Sequence, residues 1–78
     1  MDIEILTPEK VLLSGQADAV FLRAYSGEME VHNGHTPCIV ALKKGIVSVK
    51  NGSEKKDIPI EGGYAEITPK KIVILSRS

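Results

Sequence analysis

The chain has 78 residues, of which 42% are apolar, and its ten basic and ten acidic side chains give a formal net charge of zero. This length predicts one domain, residues 1–78, and the apolar content is too high for a disordered segment. Nucleic-acid binding usually requires a basic excess, so the neutral balance argues against a nucleic-acid partner.

Cysteine content and the N-terminus indicate the compartment. Cys38 is the only cysteine, so no internal disulfide can form, whereas small secreted domains usually contain several. Asp2 and Glu4 stand where a signal peptide would carry basic residues. No apolar run approaches the roughly 20 residues that span a bilayer. We therefore expect a soluble intracellular chain without direct membrane insertion, which would reach a membrane only through a partner.

Apolar residues recur mostly with period two, which is the pattern of β-strands. The predicted strands lie, in chain order, at Ile3–Ile5, Val11–Leu13, Ala17–Ala24, Cys38–Leu42, Gly45–Lys50, Ser53–Ile60, Tyr64–Thr68 and Ile72–Leu75. Turn residues separate these short segments, and no segment of ten or more residues has a helical apolar stripe. The pattern predicts an all-β fold, a small two-sheet β-sandwich or flattened barrel of mostly antiparallel strands.

Two of these strands carry further signals. Asn51-Gly52 predicts a type I′ hairpin that pairs Gly45–Lys50 with Ser53–Ile60, and Pro59 predicts that the second strand is an edge or ends there. The last strand, Ile72–Leu75, has four consecutive apolar residues, although neighbouring side chains point to opposite faces. Either the domain covers both faces, or one face docks a partner.

Residues 27–37 concentrate two glycines, both histidines, two acids and a proline. A segment this polar and rich in turn residues predicts a surface loop on a rigid scaffold. One hypothesis is chemical: His32, His35 and Cys38 would form a metal-binding or hydrolytic site, with Glu28 or Glu30 as a further ligand. Because Cys38 directly precedes Ile39-Val40, the alternative to a ligand role is a small buried hydrophobe. A second hypothesis for the whole chain is a free-standing β interaction module.

Several motifs, taken in chain order, resemble a known family. They are Leu6–Glu9 with Leu13–Gly15, the Gly-Glu-x-x-apolar-x-x-Gly-His-x-Pro segment at 27–37, Leu42–Ile46, and Gly62–Ile67 followed by Ile72–Leu75. Together these motifs cover nearly the whole chain. They resemble the N-terminal β-sandwich domain of the epsilon subunit of F-type ATP synthases, which is called delta in mitochondria.

The resemblance implies a non-catalytic rotor subunit in a hetero-oligomeric complex, without an active site or a cofactor in this domain. Such a domain binds the gamma subunit and the polar loops of the c-ring, and thereby couples ion-driven rotation to ATP synthesis. We expect it on the cytoplasmic side of the bacterial inner membrane, held there peripherally by the complex. Because the sequence ends at Ser78, we expect it to lack the inhibitory C-terminal helices of many family members.

Carried over by position, the resemblance also implies roles for individual residues. The predicted c-ring contacts are Glu28, Met29, Glu30, His32 and His35, and the predicted loop-shaping residues are Gly27, Gly34 and Pro37. For the gamma contact we expect Ile72 and Ile74 of the last strand. Family members often have glycine where Glu30 stands and proline at Asn33, so the local turn is expected to differ.

Overall fold

The computed structural model describes all 78 residues, and all of its regular structure is β-strand. The nine strands are β1 (Asp2–Leu6), β2 (Val11–Gln16), β3 (Ala19–Ala24), β4 (Gly27–His32), β5 (Cys38–Leu42), β6 (Gly45–Asn51), β7 (Glu54–Ile60), β8 (Gly63–Ile67) and β9 (Lys71–Ser76). No helix of this chain could span a bilayer.

The strands form two layers. Hydrogen-bonded neighbours follow the order β2-β1-β9-β8-β5 in the first layer and β4-β3-β6-β7 in the second. The pairing of β1 with β9 is parallel, and every other pairing is antiparallel. The predicted all-β sandwich or flattened barrel of mostly antiparallel strands is therefore confirmed.

The layers join on two sides. At one corner β3 crosses β5 through the pair Ala24–Leu42, which is flanked by backbone hydrogen bonds from Tyr25 N to Ala41 O (3.1 Å) and from Lys43 N to Arg23 O (2.8 Å). On the other side the link between β2 and β3 passes from one layer to the next. There Ala17 N donates to Met1 O and Asp18 N donates to Lys50 O, at 2.8 and 2.7 Å. Residues distant in sequence thus enclose one core.

Strand alternation decides which side chains enter that core. In β9, Ile72 and Ile74 are fully buried, whereas the side chain of Leu75 points away from the core and is 53% exposed. Fifteen residues form the buried cluster: Ile3, Ile5, Ala17, Val20, Leu22, Ala24, Val31, Leu42, Val47, Val49, Ile60, Ala65, Ile67, Ile72 and Ile74. The outer face of β9 is therefore not covered within the chain.

This burial corrects one prediction about the last strand. The core encloses Ile72 and Ile74 completely, which leaves no surface for the gamma contact that we expected of them. Their side chains share the inner face with Ala65 and Ile67 of β8, to which β9 pairs. A partner that meets this strand would instead touch Val73 and Leu75 on its outer face.

Residues 27–32 differ from the loop that we expected. They form strand β4, which pairs along its whole length with β3 from Ala24–Gly27 to Ala19–His32. Only Tyr25 and Ser26 turn the chain between the two strands. The period-two alternation of Met29 and Val31 with polar neighbours was the strand signal, and the glycines and acids around it concealed that signal.

The β6–β7 hairpin confirms the predicted pairing but shifts its turn. Asn51 pairs with Glu54, so the two turn residues are Gly52 and Ser53 rather than Asn51 and Gly52. Of the residues in this turn only Gly52 has a positive φ, of 62°. One positive φ at the first turn position is the pattern of a type II′ turn, whereas type I′ requires two. Pro59 lies in β7, which has a neighbour on one side only, as expected for an edge strand.

Gly63 begins β8 with a φ of 145°, a conformation that other residues rarely adopt. A Cβ atom placed there would lie 1.9 Å from the backbone oxygen of Leu75. The close approach of β8 to β9 at this point therefore requires glycine.

We predict that Gly63→Ala lowers the free energy of unfolding by about 2–4 kcal/mol, because the methyl group meets backbone and the φ becomes strained. Gly15→Ala is the matched control, since a Cβ at Gly15 meets nothing within 4 Å. Urea unfolding of both variants measures the difference. Equal stability of the two variants would contradict the described approach of the strands.

A second pair of variants tests the orientation of β9. Ile74→Ala should cost about 2–5 kcal/mol, because it leaves a cavity in the core. Leu75→Ala, one residue later, should cost under about 1 kcal/mol, because that side chain is already half exposed. Thermal or urea unfolding distinguishes them, and a reversed order would show that the opposite face of β9 is buried.

Candidate functional site

The β3–β4 hairpin presents most of the predicted contact residues on one face. Glu28, Glu30 and His32 lie opposite Arg23, Phe21 and Ala19 in the register and face outward. Met29 and Val31 alternate with them and face inward. Met29 is half buried and packs against the core, so its predicted contact role is limited to the part of its side chain left exposed.

A shallow groove of about 580 Å³ follows the outer face of this hairpin and its neighbours β6 and β7. We call it the hairpin groove, and its lining residues are Phe21, Leu22, Arg23, Glu28, Met29, Glu30, Ile46, Ser48 and Lys55. Phe21 and Ile46 are 37% and 45% exposed and supply apolar surface. Acidic and basic side chains surround that surface, which is the composition of a protein contact more than of a small-molecule pocket.

Charges near the groove are organised along the strands. The Nε2 of His32 donates a hydrogen bond to the carboxylate of Glu30, two residues earlier on the same face of β4. On strand β3, which pairs with β4, Arg23 lies opposite Glu28. Both acids are exposed, so they are available to basic groups of a partner.

One titratable group departs clearly from its ordinary pKa, and it lies in the first layer. The hydrogen bond that Lys71 donates to Glu4 at 2.9 Å, together with the negative charge of Glu4, raises the pKa of Lys71 above its usual value of 10.5. The pair lies at the surface, with Lys71 exposed and Glu4 half-buried, and screening by water keeps its contribution to stability small. It supports the parallel β1–β9 pairing and is not a catalytic arrangement.

The segment after β4 returns the chain to the first layer. Gly34 has a φ of 81°, and its backbone N–H donates to the backbone oxygen of Pro69 in the β8–β9 turn at 2.9 Å. The Nδ1 of His35 donates to the backbone oxygen of Thr36 at 2.7 Å. Pro37 directly precedes β5. The segment that carries His35 is therefore attached at its middle to a turn of the other layer.

The structure does not support the metal-site hypothesis. No group of three or more histidine, cysteine, aspartate or glutamate side chains is placed to hold a metal ion. His32 pairs with Glu30, and the ring of His35 bonds to backbone at Thr36. Cys38 lies on the inner face of β5 and packs against the core, as the alternative of a small buried hydrophobe requires. The three-residue spacing along the sequence does not bring the side chains together.

A second surface lies on the outer face of the first layer, where the sequence analysis had considered only the strand Ile72–Leu75. Strand register aligns Val11, Leu6, Leu75, Tyr64 and Ala41 across five neighbouring strands, and we call them the apolar row. Val11, Leu75 and Tyr64 are each more than half exposed. The four-residue apolar run in β9 was its only signal in the sequence, because the other members are scattered along the chain.

The sequence matches known proteins over its whole length. The family described as "ATP synthase, Delta/Epsilon chain, beta-sandwich domain" matches residues 1–78. The ATP synthase epsilon chain of Rhizobium etli is 41% identical over 78 residues, which cover 99% of this chain and 58% of the relative. That of Parvibaculum lavamentivorans is 35% identical over 77 residues, which cover 97% of this chain and 58% of the relative. The chain thus spans less than two thirds of these relatives.

Solved structures agree with these matches. A chain in the Euglena gracilis mitochondrial ATP synthase structure of OSCP, F1 and c-ring superposes with a TM-score of 0.89 and 25% identity, over 97% of this chain and 49% of that chain. A chain in the Tetrahymena thermophila mitochondrial ATP synthase structure of central stalk and c-ring gives 0.83 with 17% identity, over 99% and 63%, and shows the fold alone. This chain belongs to the β-sandwich domain family of the ATP synthase delta and epsilon chains.

Proposed function

We propose that this domain is a non-catalytic part of the central stalk of an F-type ATP synthase. It binds the gamma subunit and the polar loops of the c-ring, so that ion-driven rotation of the ring reaches the catalytic head. The observation that carries this proposal is the family match over residues 1–78. The TM-score of 0.89 to a chain in a structure of F1 with c-ring supports it.

The mechanical properties of the fold suit this role. Torque passes through a domain without loss only when its parts do not move relative to one another. Here both layers are hydrogen-bonded ladders, and they are joined by backbone hydrogen bonds at the β3–β5 crossing and at Ala17 and Asp18. A closed body of this kind transmits force between two surfaces without a flexible joint.

We assign the c-ring contact to the hairpin groove and the segment that follows it. Glu28 and Glu30 present two exposed carboxylates on the same face, which suits basic side chains in polar ring loops. His35 belongs to the neighbouring segment, and Gly27 and Gly34, both with positive φ, shape the chain on either side. The family match and the exposure of these residues support this assignment.

We assign the gamma contact to the apolar row. Exposed apolar side chains that adjoin across several strands mark surfaces that bind other proteins. Leu75 and Tyr64 lie opposite each other in the register of β9 and β8 and provide the centre of such a contact. This assignment replaces the buried Ile72 and Ile74 with outward-facing residues of the same region.

The proposed location follows from the proposed partners. The domain carries no cofactor and performs no turnover of its own. It lies peripherally on the cytoplasmic side of a bacterial inner membrane, held by gamma and the c-ring. The bacterial relatives named ATP synthase epsilon chain support this location.

Charge reversal tests the c-ring contact. Glu28→Lys should weaken binding of the domain–gamma complex to detergent-solubilised c-ring by about two- to tenfold, because an exposed pair contributes about 0–1 kcal/mol and reversal adds repulsion. Glu61→Lys, an exposed acid between β7 and β8 that pairs with Lys44 at 3.5 Å and lies outside both proposed surfaces, is the matched control. Surface plasmon resonance measures the Kd, and ATP-driven proton pumping in vesicles measures the coupling. Equal affinity of both variants would place the ring contact elsewhere.

A carboxylate in the apolar row tests the gamma contact. Tyr64→Asp should weaken binding to purified gamma by at least about tenfold, since it removes an exposed aromatic ring and buries a charge in the contact. Ser53→Asp adds the same group to the β6–β7 turn and should bind as the unchanged domain does. Isothermal titration calorimetry compares the three proteins. Failure of the unchanged domain to bind gamma would refute the proposed function itself.

A further inference from the structure

Three strands have a neighbour on one side only: β2, β4 and β7. Natural proteins protect such edges from pairing with other chains by placing charges or proline on them. Strand β4 carries Glu28 and Glu30, and β7 carries Lys55 and Pro59 among other charged residues. Strand β2, Val11–Gln16, has neither a charge nor a proline. Its free edge is the only one of the three without protection against pairing.

The sandwich also opens beside β2. A cleft of about 210 Å³ lies between this strand and the β6–β7 hairpin of the second layer. It is lined by Ile3, Leu13, Ser14, Gly15, Gln16, Val49, Asn51, Glu54 and Lys56. The core residues Ile3 and Val49 contribute to this lining although each is at most 4% exposed. The cleft thus reaches the edge of the hydrophobic core.

Gly15 keeps this cleft open. It lies opposite the inward-facing Ile3 in the β1–β2 register, so a side chain at this position would point between the layers. A Cβ atom placed there meets nothing within 4 Å, and the φ of Gly15 lies outside the positive range. Neither backbone conformation nor crowding requires glycine here. What glycine provides is empty space next to an unprotected strand edge.

An unprotected edge beside a cleft whose floor is apolar, at Ile3 and Val49, is the arrangement by which sheets accept an added strand. In such contacts the main-chain hydrogen bonds provide affinity, and pockets for alternate side chains provide specificity. An extended segment paired with β2 would continue the first layer by one strand. Its inward-pointing side chain next to Gly15 would enter the cleft above Ile3 and Val49, and apolar chemistry fits that floor.

We propose that β2 binds an extended strand of the gamma subunit, with an apolar side chain of that strand seated in the cleft at Gly15. This inference rests on the proposed function and names the binding mode of one of its partners. Gamma is the occupant because the edge is continuous at Val11 with the apolar row assigned to it, and because the other proposed partner presents polar loops. The uncharged strand β2 and the apolar floor of the cleft therefore suit gamma better than the polar loops of the c-ring.

Filling the cleft from within tests the proposal. Gly15→Leu should place its side chain in the cleft without backbone strain and should weaken gamma binding by at least about tenfold, which is 1.4 kcal/mol. Gly15→Ala fills less of the space and should weaken binding less. Lys70→Leu adds the same side chain to the exposed β8–β9 turn and should bind gamma as the unchanged domain does. Calorimetry measures the Kd, and circular dichroism checks that each variant is folded.

A second measurement needs no variant. In the complex of the unchanged domain with gamma, hydrogen exchange at the β2 amides should slow by at least about tenfold, because added main-chain hydrogen bonds protect them. Absence of this protection, or equal gamma binding by folded Gly15→Leu, overturns the strand proposal and leaves the proposed function intact. No binding of gamma by the unchanged domain overturns both. Self-association through β2, seen as a dimer whose β2 amides are protected without gamma, also overturns the strand proposal.

Discussion

The crossing of β3 over β5 is the constraint on which the rest of the domain depends. A single residue pair, Ala24–Leu42, and the two flanking backbone hydrogen bonds make the corner where one layer passes into the other. Because the corner belongs to the backbone, the angle between the layers does not depend on any one side chain. The hairpin groove on one layer and the apolar row on the other therefore keep a fixed relative position. The proposed role, contact with two partners at once, requires this property.

The two surfaces differ in chemistry in a way that matches their proposed partners. The hairpin groove combines the carboxylates of Glu28 and Glu30 with a small apolar floor, and it is the more polar of the two surfaces. The apolar row has no charge at its centre, where Leu75 faces Tyr64, as in permanent contacts. With this division, the apolar row would hold the domain firmly to gamma while the hairpin groove contacts the c-ring. The proposed ring contact gives residues 27–37, which first suggested catalysis, a role in binding instead.

Much of the fold was predictable because period-two burial is a local property of the sequence. The alternation in β6, the apolar run in β9 and the hairpin signal at Asn51-Gly52 identified strands and one pairing correctly. The turn type was not predictable in detail. Asn51 can adopt a positive φ, but in this fold it is paired with Glu54 in the strand ladder and does not do so. The expectation that Ile72 and Ile74 meet a partner was wrong, because a continuous apolar run does not show which alternate residues face the core. Only the register with β8 decides it.

The candidate sites were less predictable, for a geometric reason. The apolar row joins residues from β2, β1, β9, β8 and β5, which are dispersed along the chain and adjoin only through strand pairing. The cleft at Gly15 likewise depends on the distance between β2 and the second layer. Spacing along the sequence also suggested a site that the fold does not form. His32, His35 and Cys38 are close in sequence, but His32 pairs with Glu30, His35 bonds to backbone and Cys38 packs against the core. Sites made by one continuous segment, such as β4, were the ones that sequence could indicate.

The parallel pairing of β1 with β9 has a consequence for how the chain folds. Ile3 and Ile72 are partners in the register, so β1 lacks its neighbour on that side until β9, the last of the nine strands, has been synthesised. Contacts between residues so far apart in sequence close large loops and slow folding. During synthesis β1 and β2 can form a hairpin, but its inner side chains stay exposed until Ser76 has emerged. Completion of the core thus coincides with the end of β9, and the nascent domain is most prone to aggregate just before that moment.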